Sequence, residues 1–341
     1  MGTLAGTRRL QPGLVPPASY RQKSVLPVAI ALLATTRLPG QEEPRIKVDV
    51  NLVRVSCVIR NTDGAYRPDV PAGDFTLLED GVPQRIQYVS RADNLPLTVG
   101  LVLDTSHSQI KALARHRDAA GQFLRSVLGE GDRAFVAQFQ GRTWLRQPAT
   151  GEVDRLTRAI ASVDSKAPLD LPEVSDPRRR TVGTAYYDAI FYSSRKLFRN
   201  ENGRRALIVF TDSIDNRSRV SAGDAIEAAQ SADAPVYHIR IAPLDKVQTA
   251  MAPHVALIFR AKGSRAAKRI SEETGGRVFD PGKTAPAEIF GQIEKELRST
   301  YEIGYVSSNP ARDGKYRKLE VRLADQSLKP RHRKGYRART D

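Results

Sequence analysis

Apolar and polar residues alternate from Ile46 to Tyr88. Val48, Val50 and Leu52 share one phase and Val53, Val55, Cys57 and Ile59 the opposite one, which predicts strands with a bulge near Leu52. Asn61-Thr62-Asp63-Gly64 is a turn signal. Asp74-Phe75-Thr76-Leu77-Leu78-Glu79 reads as a strand ending in the Asp80-Gly81 turn, with Arg85 to Val89 as its hairpin partner. So few short strands cannot close a core and need more strands or a neighbour.

Past Asn94 the period changes. Leu97-Thr98-Val99-Gly100-Leu101-Val102-Leu103-Asp104 is a near-continuous apolar strand, as expected when helices cover both faces. Helical spacing follows over Ile110 to Leu128, a strand over Arg133 to Phe139 and a helix over Val153 to Val163. A helix over Thr184 to Leu197, a strand over Arg205 to Thr211 and a helix over Ala222 to Ala232 come next. Pro235 to Ile241 reads as a strand, Ala266 to Thr274 as a helix, Val278-Phe279 as a short strand and Ala285 to Leu297 as a helix. Two long loops, Ser165–Gly183 and Pro243–Ser264, interrupt the series. The tail returns to strand patterns at Tyr301 to Val306, at Leu319, Val321 and Leu323, and at Arg331 to Tyr336.

This order predicts an α/β fold: a doubly wound, mostly parallel sheet with helices on both faces, plus a small all-β unit built from the N- and C-terminal flanks. The expected organisation is a leader over 1–40, an N-terminal β domain over 44–93, the α/β domain over 95–300, and C-terminal strands with a basic tail over 301–341. The tail strands are expected to pack on the N-terminal β unit, with Lys318, Glu320 and Arg322 on their solvated face.

Composition adds three things. Hydrophobic and charged shares of 40% and 27% exclude a chain disordered throughout. The formal charge of +16 is unusual, and +7 of it lies in the last 33 residues, with 11 Lys and Arg against 4 acids. That strip alternates with apolar residues, as a strand with one solvated face does. Cys57, the only cysteine, sits at a core phase of its strand and can form no intrachain disulfide. Near the start, Arg8, Arg9, Arg21 and Lys23 precede the apolar run Val25 to Ala34, which is short for a membrane span and suits the core of an export signal. Export implies a periplasmic, cell-envelope or secreted protein.

Candidate chemistry gathers at strand ends. The first apolar strand ends in Asp104-Thr105-Ser106-His107-Ser108 and runs into a helix, so a carboxylate and two hydroxyls meet where open α/β sheets bind ligands. The second, Arg205 to Thr211, ends in Asp212, and Thr184 opens the helix between them. Hard oxygen donors of this kind suit Mg²⁺. Asp104, Ser106 and Ser108, with the distant Thr184 and Asp212, resemble the metal-ion-dependent adhesion site of von Willebrand factor type A domains. Asp74-Phe75, Glu79-Asp80-Gly81, Tyr301-Glu302-Ile303-Gly304-Tyr305 and Gly314-Lys315-Tyr316-Arg317-Lys318 extend the resemblance, which covers about Ile46 to Arg337, to a bacterial family of exported von Willebrand factor A-related proteins.

The resemblance implies a bound Mg²⁺ or Mn²⁺ contacted directly by Ser106, Ser108 and Thr184, with Asp104 and Asp212 acting mainly through metal-bound water. It further implies a protein partner whose acidic side chain completes the metal; separately, the motifs lead us to expect no enzyme. Gln109 stands where many relatives have Met and is expected not to touch the metal. His107 and Asp215 are read as loop or cap residues, and Asp188 as orienting groups nearby. The rival reading is a nucleic-acid or polyanion binder, from the basic tail with Tyr316 and Tyr336 and from the loop cluster Arg178-Arg179-Arg180. A hydrolase fits worst. Gly282-Lys283-Thr284 lacks the earlier glycine of a phosphate loop, and no G-x-S-x-G or H-E-x-x-H occurs.

Overall fold

A computed structural model describes residues 52–92, 95–166, 183–240 and 253–340. The leader, residues 46–51 and Arg178-Arg179-Arg180 lie outside them; Leu52, near which a bulge is expected, begins a strand that pairs in unbroken register with Thr300–Val306.

Strand β5 (Leu97–Asp104) is buried along its whole length. It forms the middle of a six-stranded sheet of order β10-β9-β8-β5-β6-β7, made with β6 (Arg133–Phe139), β7 (Thr143–Thr150), β8 (Arg204–Phe210), β9 (Val236–Ile239) and β10 (Val278–Phe279). All pairs are parallel except β6 with β7. On one face Leu97, Val99, Leu101 and Leu103 pack against α1 (Leu113–Val127), α2 (Val153–Ala161) and α6 (Pro286–Arg298). On the other, Val102, Phe135 and Leu207 meet α3 (Tyr186–Tyr192), α4 (Ala222–Ser231) and α5 (Pro253–Thr274). The expected doubly wound architecture is present.

Two further four-stranded sheets form the all-β unit. One has the order β13-β1-β11-β4, from β13 (Lys329–His332), β1 (Leu52–Arg60), β11 (Thr300–Val306) and β4 (Ile86–Arg91). The other has the order β14-β12-β2-β3, from β14 (Gly335–Arg337), β12 (Tyr316–Leu323), β2 (Phe75–Glu79) and β3 (Val82–Gln84). Val55, Cys57, Ile59 and Ile303 of the first sheet share a core with Leu77, Leu319, Val321 and Leu323 of the second. Both flanks of the chain thus build one sandwich. Burial pushes the Cys57 thiol up to about 12, so it stays a protonated core residue.

The structure corrects several element readings. The partner of β2 is Val82–Gln84, because Asp80 and Gly81 both take positive φ (49° and 83°) and close a two-residue turn at once. Ile86–Arg91 crosses to the other sheet and pairs with β11. The edge strand β7 carries too little alternation to be read from sequence. Most of the loop expected after Pro243 is the N-terminal half of α5. The single strand expected over Arg331–Tyr336 is split between the two sheets.

Part of the basic tail is internal. Lys318 and Arg322 are exposed and Glu320 is half-exposed, as expected, but Arg317 and Arg333 are buried. Arg317 pairs with Asp313 at 2.9 Å, and Arg333 donates to the Gln230 and Arg54 carbonyls. Ser56 and Val58 of the sandwich line a small cavity with Leu97, Arg204 and Pro235, which stand at or just before the starts of β5, β8 and β9. The sandwich therefore meets the end of the sheet opposite to Asp104 and Asp212.

Candidate metal centre

Asp104 is fully buried at the carboxyl end of β5. Its Oδ1 accepts the Ser106 backbone N–H at 2.9 Å, and its Oδ2 accepts the Thr211 hydroxyl at 2.6 Å. The two strand ends are thereby tied together. Ser106 Oγ lies 3.3 Å from Ser108 Oγ, and the Ser108 hydroxyl donates to Asp212 Oδ2 at 3.1 Å. The second oxygen of Asp212 accepts the Ile214 N–H at 3.0 Å. Four of the five expected residues thus form one hydrogen-bonded chain across the edge of the sheet.

Thr184, the fifth, is buried at the same edge and held by backbone. Its N–H donates to Asn216 Oδ1 at 2.8 Å, and its carbonyl accepts the N–H groups of Asn216 and Arg217 at 3.1 and 3.0 Å. Its hydroxyl is not joined to the chain of the other four. Asn216, in the loop after Asp212, is therefore the clamp that positions Thr184.

Gln109 takes a place in the site that its sequence position did not suggest. The side chain is buried, and its Nε2 donates to Asp212 Oδ2 at 2.5 Å and reaches Ser108 Oγ at 3.4 Å. Its Oε1 is buried without a hydrogen-bond partner. A signal existed in the sequence: Gln109 precedes Ala112 and Leu113 at helical spacing, and both of those are buried. Asp215 caps α3 through the Tyr186 N–H at 2.9 Å, and Asp188 accepts the N–H groups of Arg219 and Val220 at 2.9 and 3.1 Å. His107 is exposed.

Electrostatics fit a cation. Burial, then the neighbouring Asp212 carboxylate, pushes Asp104 up to about 7, against the smaller opposing effect of hydrogen bonds from Ser106 and Thr211. Burial also raises Asp212, with Ile214, Ser108, Gln109 and Arg240 acting the other way. Two neighbouring carboxylates with hydroxyls beside them, one fully buried and one partly so, form an arrangement a divalent ion would relieve. Among the described residues no group of three or more His, Cys, Asp or Glu gathers, so an ion here would be held by two acids together with hydroxyls. An oxygen-only set of two acids and hydroxyls suits Mg²⁺ or Mn²⁺.

A doubly wound sheet with acids ending two adjacent central strands and hydroxyls in the loop after the first defines a class: an α/β module with an oxygen-donor site at its carboxyl edge. Solved structures similar to this chain include an aerotolerance-related membrane protein from Bacteroides fragilis with multiple mutations to serines (16% identity, 59% of this chain and 98% of that one, TM-score 0.44). Another is the von Willebrand factor domain of the type V pili tip protein Mfa5 from Porphyromonas gingivalis (11% identity, 60% and 95%, TM-score 0.42). A third is proximal thread matrix protein 1 from the mussel byssus with a zinc-occupied MIDAS motif (12% identity, 64% and 49%, TM-score 0.44). No protein-family model and no curated protein matches the chain.

Proposed function

We infer that this protein is an exported, metal-dependent binding module that takes Mg²⁺ or Mn²⁺ at Asp104, Ser106, Ser108, Thr184 and Asp212 and binds an acidic group of another protein there. The observation that carries the reading is the hydrogen-bonded chain from Asp104 to Asp212 at the sheet edge, built of oxygen donors around the buried Asp104 and the half-buried Asp212. A bound divalent ion supplies an electrophilic position for a partner carboxylate. The protein's own contribution is orientation: Thr211 and Ser106 fix Asp104, while Ile214 and Gln109 fix Asp212, so the hydroxyls of Ser106 and Ser108 are set before binding. Adhesion or scaffolding, not catalysis, is the role this reading assigns to the protein.

The nucleic-acid reading loses support because Arg317, Arg331 and Arg333, part of the basic tail, are engaged within the protein. Among the described residues no helix is long and apolar enough to cross a membrane. Export rests on the leader pattern of Val25 to Ala34.

Asp104→Ala and Asp104→Asn are expected to lose binding of Mn²⁺ and Mg²⁺ by calorimetric titration while keeping the native near-ultraviolet circular dichroism. The Asn variant retains an acceptor for the Ser106 N–H and controls for local unfolding. An isotherm unchanged in either variant rejects the site.

A further inference from the structure

Helix α5 links the two ends of the sheet. Its C-terminal turn meets the sandwich, where the Glu273 carbonyl accepts the Lys334 N–H at 2.9 Å and the Gln230 amide at 2.8 Å. Midway, Gly263 lies so close to the loop after Asp212 that an added Cβ would stand 2.5 Å from the Ser213 carbonyl oxygen. The N-terminal half of α5 therefore runs past Ser213 and Ile214, beside the metal edge.

The outer face of this helix has a definite chemistry. Ile258, Lys262, Arg265 and Arg269 follow at i, i+4, i+7 and i+11, which is a single stripe, and all four are exposed, Ile258 by 61%. Among the described residues none of these three cations makes an ion pair, and Glu272, an exposed acid of the helix, is taken by Lys268 at 3.8 Å. Lys111, Arg217 and Arg219, exposed on the neighbouring loops of the same edge, have the same sign. Asp215 is turned inward to cap α3.

We propose that the partner seated at this edge is an acidic protein segment: one carboxylate goes to the metal, further carboxylates run along Lys262, Arg265 and Arg269, and an apolar side chain lies against Ile258. The proposal rests on the metal-dependent reading above and specifies its partner. A cationic stripe headed by an exposed aliphatic residue complements a peptide that mixes acidic and apolar side chains. A phosphodiester chain, charged at every step, has less to set against Ile258.

The test uses the full chain with Mg²⁺ and follows the fluorescence anisotropy of labelled poly-L-glutamate, with a single-stranded oligothymidine of equal charge as comparator. Replacing Lys262, Arg265 and Arg269 together by Glu is expected to weaken poly-L-glutamate at least about tenfold at low salt, by a factor that shrinks as salt rises. The Mg²⁺ isotherm and the thermal midpoint should be unchanged, and replacing the same three residues by Gln should give an intermediate loss. A Glu variant that binds as the parent does overturns the proposal, as does oligothymidine bound as tightly as poly-L-glutamate. Chelation separates the two readings: if the parent's binding survives EDTA but falls in the Glu variant, the stripe stands and the metal reading fails.

Discussion

The imidazole of His332 is held in one tautomer. Its Nδ1–H donates to the Arg333 carbonyl at 2.6 Å, and Nε2 accepts the Val321 N–H at 3.1 Å, so a second proton would set two N–H groups against each other. Burial is the largest cause pushing its pKa down to about 4. With a folded pKa below the unfolded value, the stability due to this group is present above about pH 6.5 and is lost as pH falls toward 4, on the order of 3 kcal/mol in total. Urea unfolding of His332→Gln should therefore show a shallower decline over that window than the parent. Some slope should remain, since burial also pushes His238 down to about 3. A variant with the parent's slope would contradict the assignment. Neither histidine could be read as buried from its neighbours in sequence, because what removes each from water comes from distant elements.

At the scale of elements, the join between α5 and β10 leaves no room for a side chain. A Cβ on Gly276 would lie 2.0 Å from the Val236 carbonyl oxygen and 2.5 Å from its carbon, both backbone atoms at the start of β9. Gly276→Ala is expected to cost about 3 kcal/mol, because only movement of a strand or helix could relieve the overlap. Gly291 in α6 meets nothing within 4 Å, so Gly291→Ala should raise stability by up to about 1 kcal/mol through helix propensity. Matched urea curves for the two variants check the contrast, and equal midpoints would refute it. The flanking motifs also acquire a physical meaning. Glu79 accepts the hydroxyls of Tyr305 at 2.6 Å and Tyr336 at 2.8 Å, the Tyr301 hydroxyl donates to the Arg67 carbonyl at 3.0 Å, and the Tyr88 ring covers Gly304. Residues far apart in sequence thus form the polar ties of one sandwich.

Across the whole molecule, the sandwich and the α/β domain are joined through Glu296, which is fully buried on α6. It receives Arg60 from β1 at 2.9 Å, Arg277 at 2.9 Å, and Arg331 from β13. Burial opposes its charge, yet Arg331 and Arg277 outweigh that and hold its pKa below the usual carboxylate range. Glu296→Gln removes the charge shared by three guanidinium groups and is expected to lower stability by about 3–5 kcal/mol. Denaturant titration followed by limited proteolysis of residues 52–91 checks this: a parent-like midpoint with an equally resistant sandwich would show that the cluster does not join the two parts. Because this junction lies at the amino ends of the strands, the sandwich leaves the edge with Asp104 and Asp212 clear.

The sequence by itself determined the alternation of strands and helices through the α/β domain, the burial of β5 on both faces, and which residues end its central strands. Those properties follow from spacing over one to four residues, which a reader of the chain can see directly. The four residues linked from Asp104 to Asp212 were legible for the same reason, since each stands at or just after a strand end. Tertiary structure alone decided that Ile86–Arg91 leaves its hairpin neighbour for β11, that Thr143–Thr150 closes the sheet edge, and that Arg331 and Arg333 turn inward. It also decided that Gln109 reaches Asp212 and that Asn216 clamps Thr184. Each of these depends on a partner brought close by folding, and a buried polar group takes whichever partner satisfies it there.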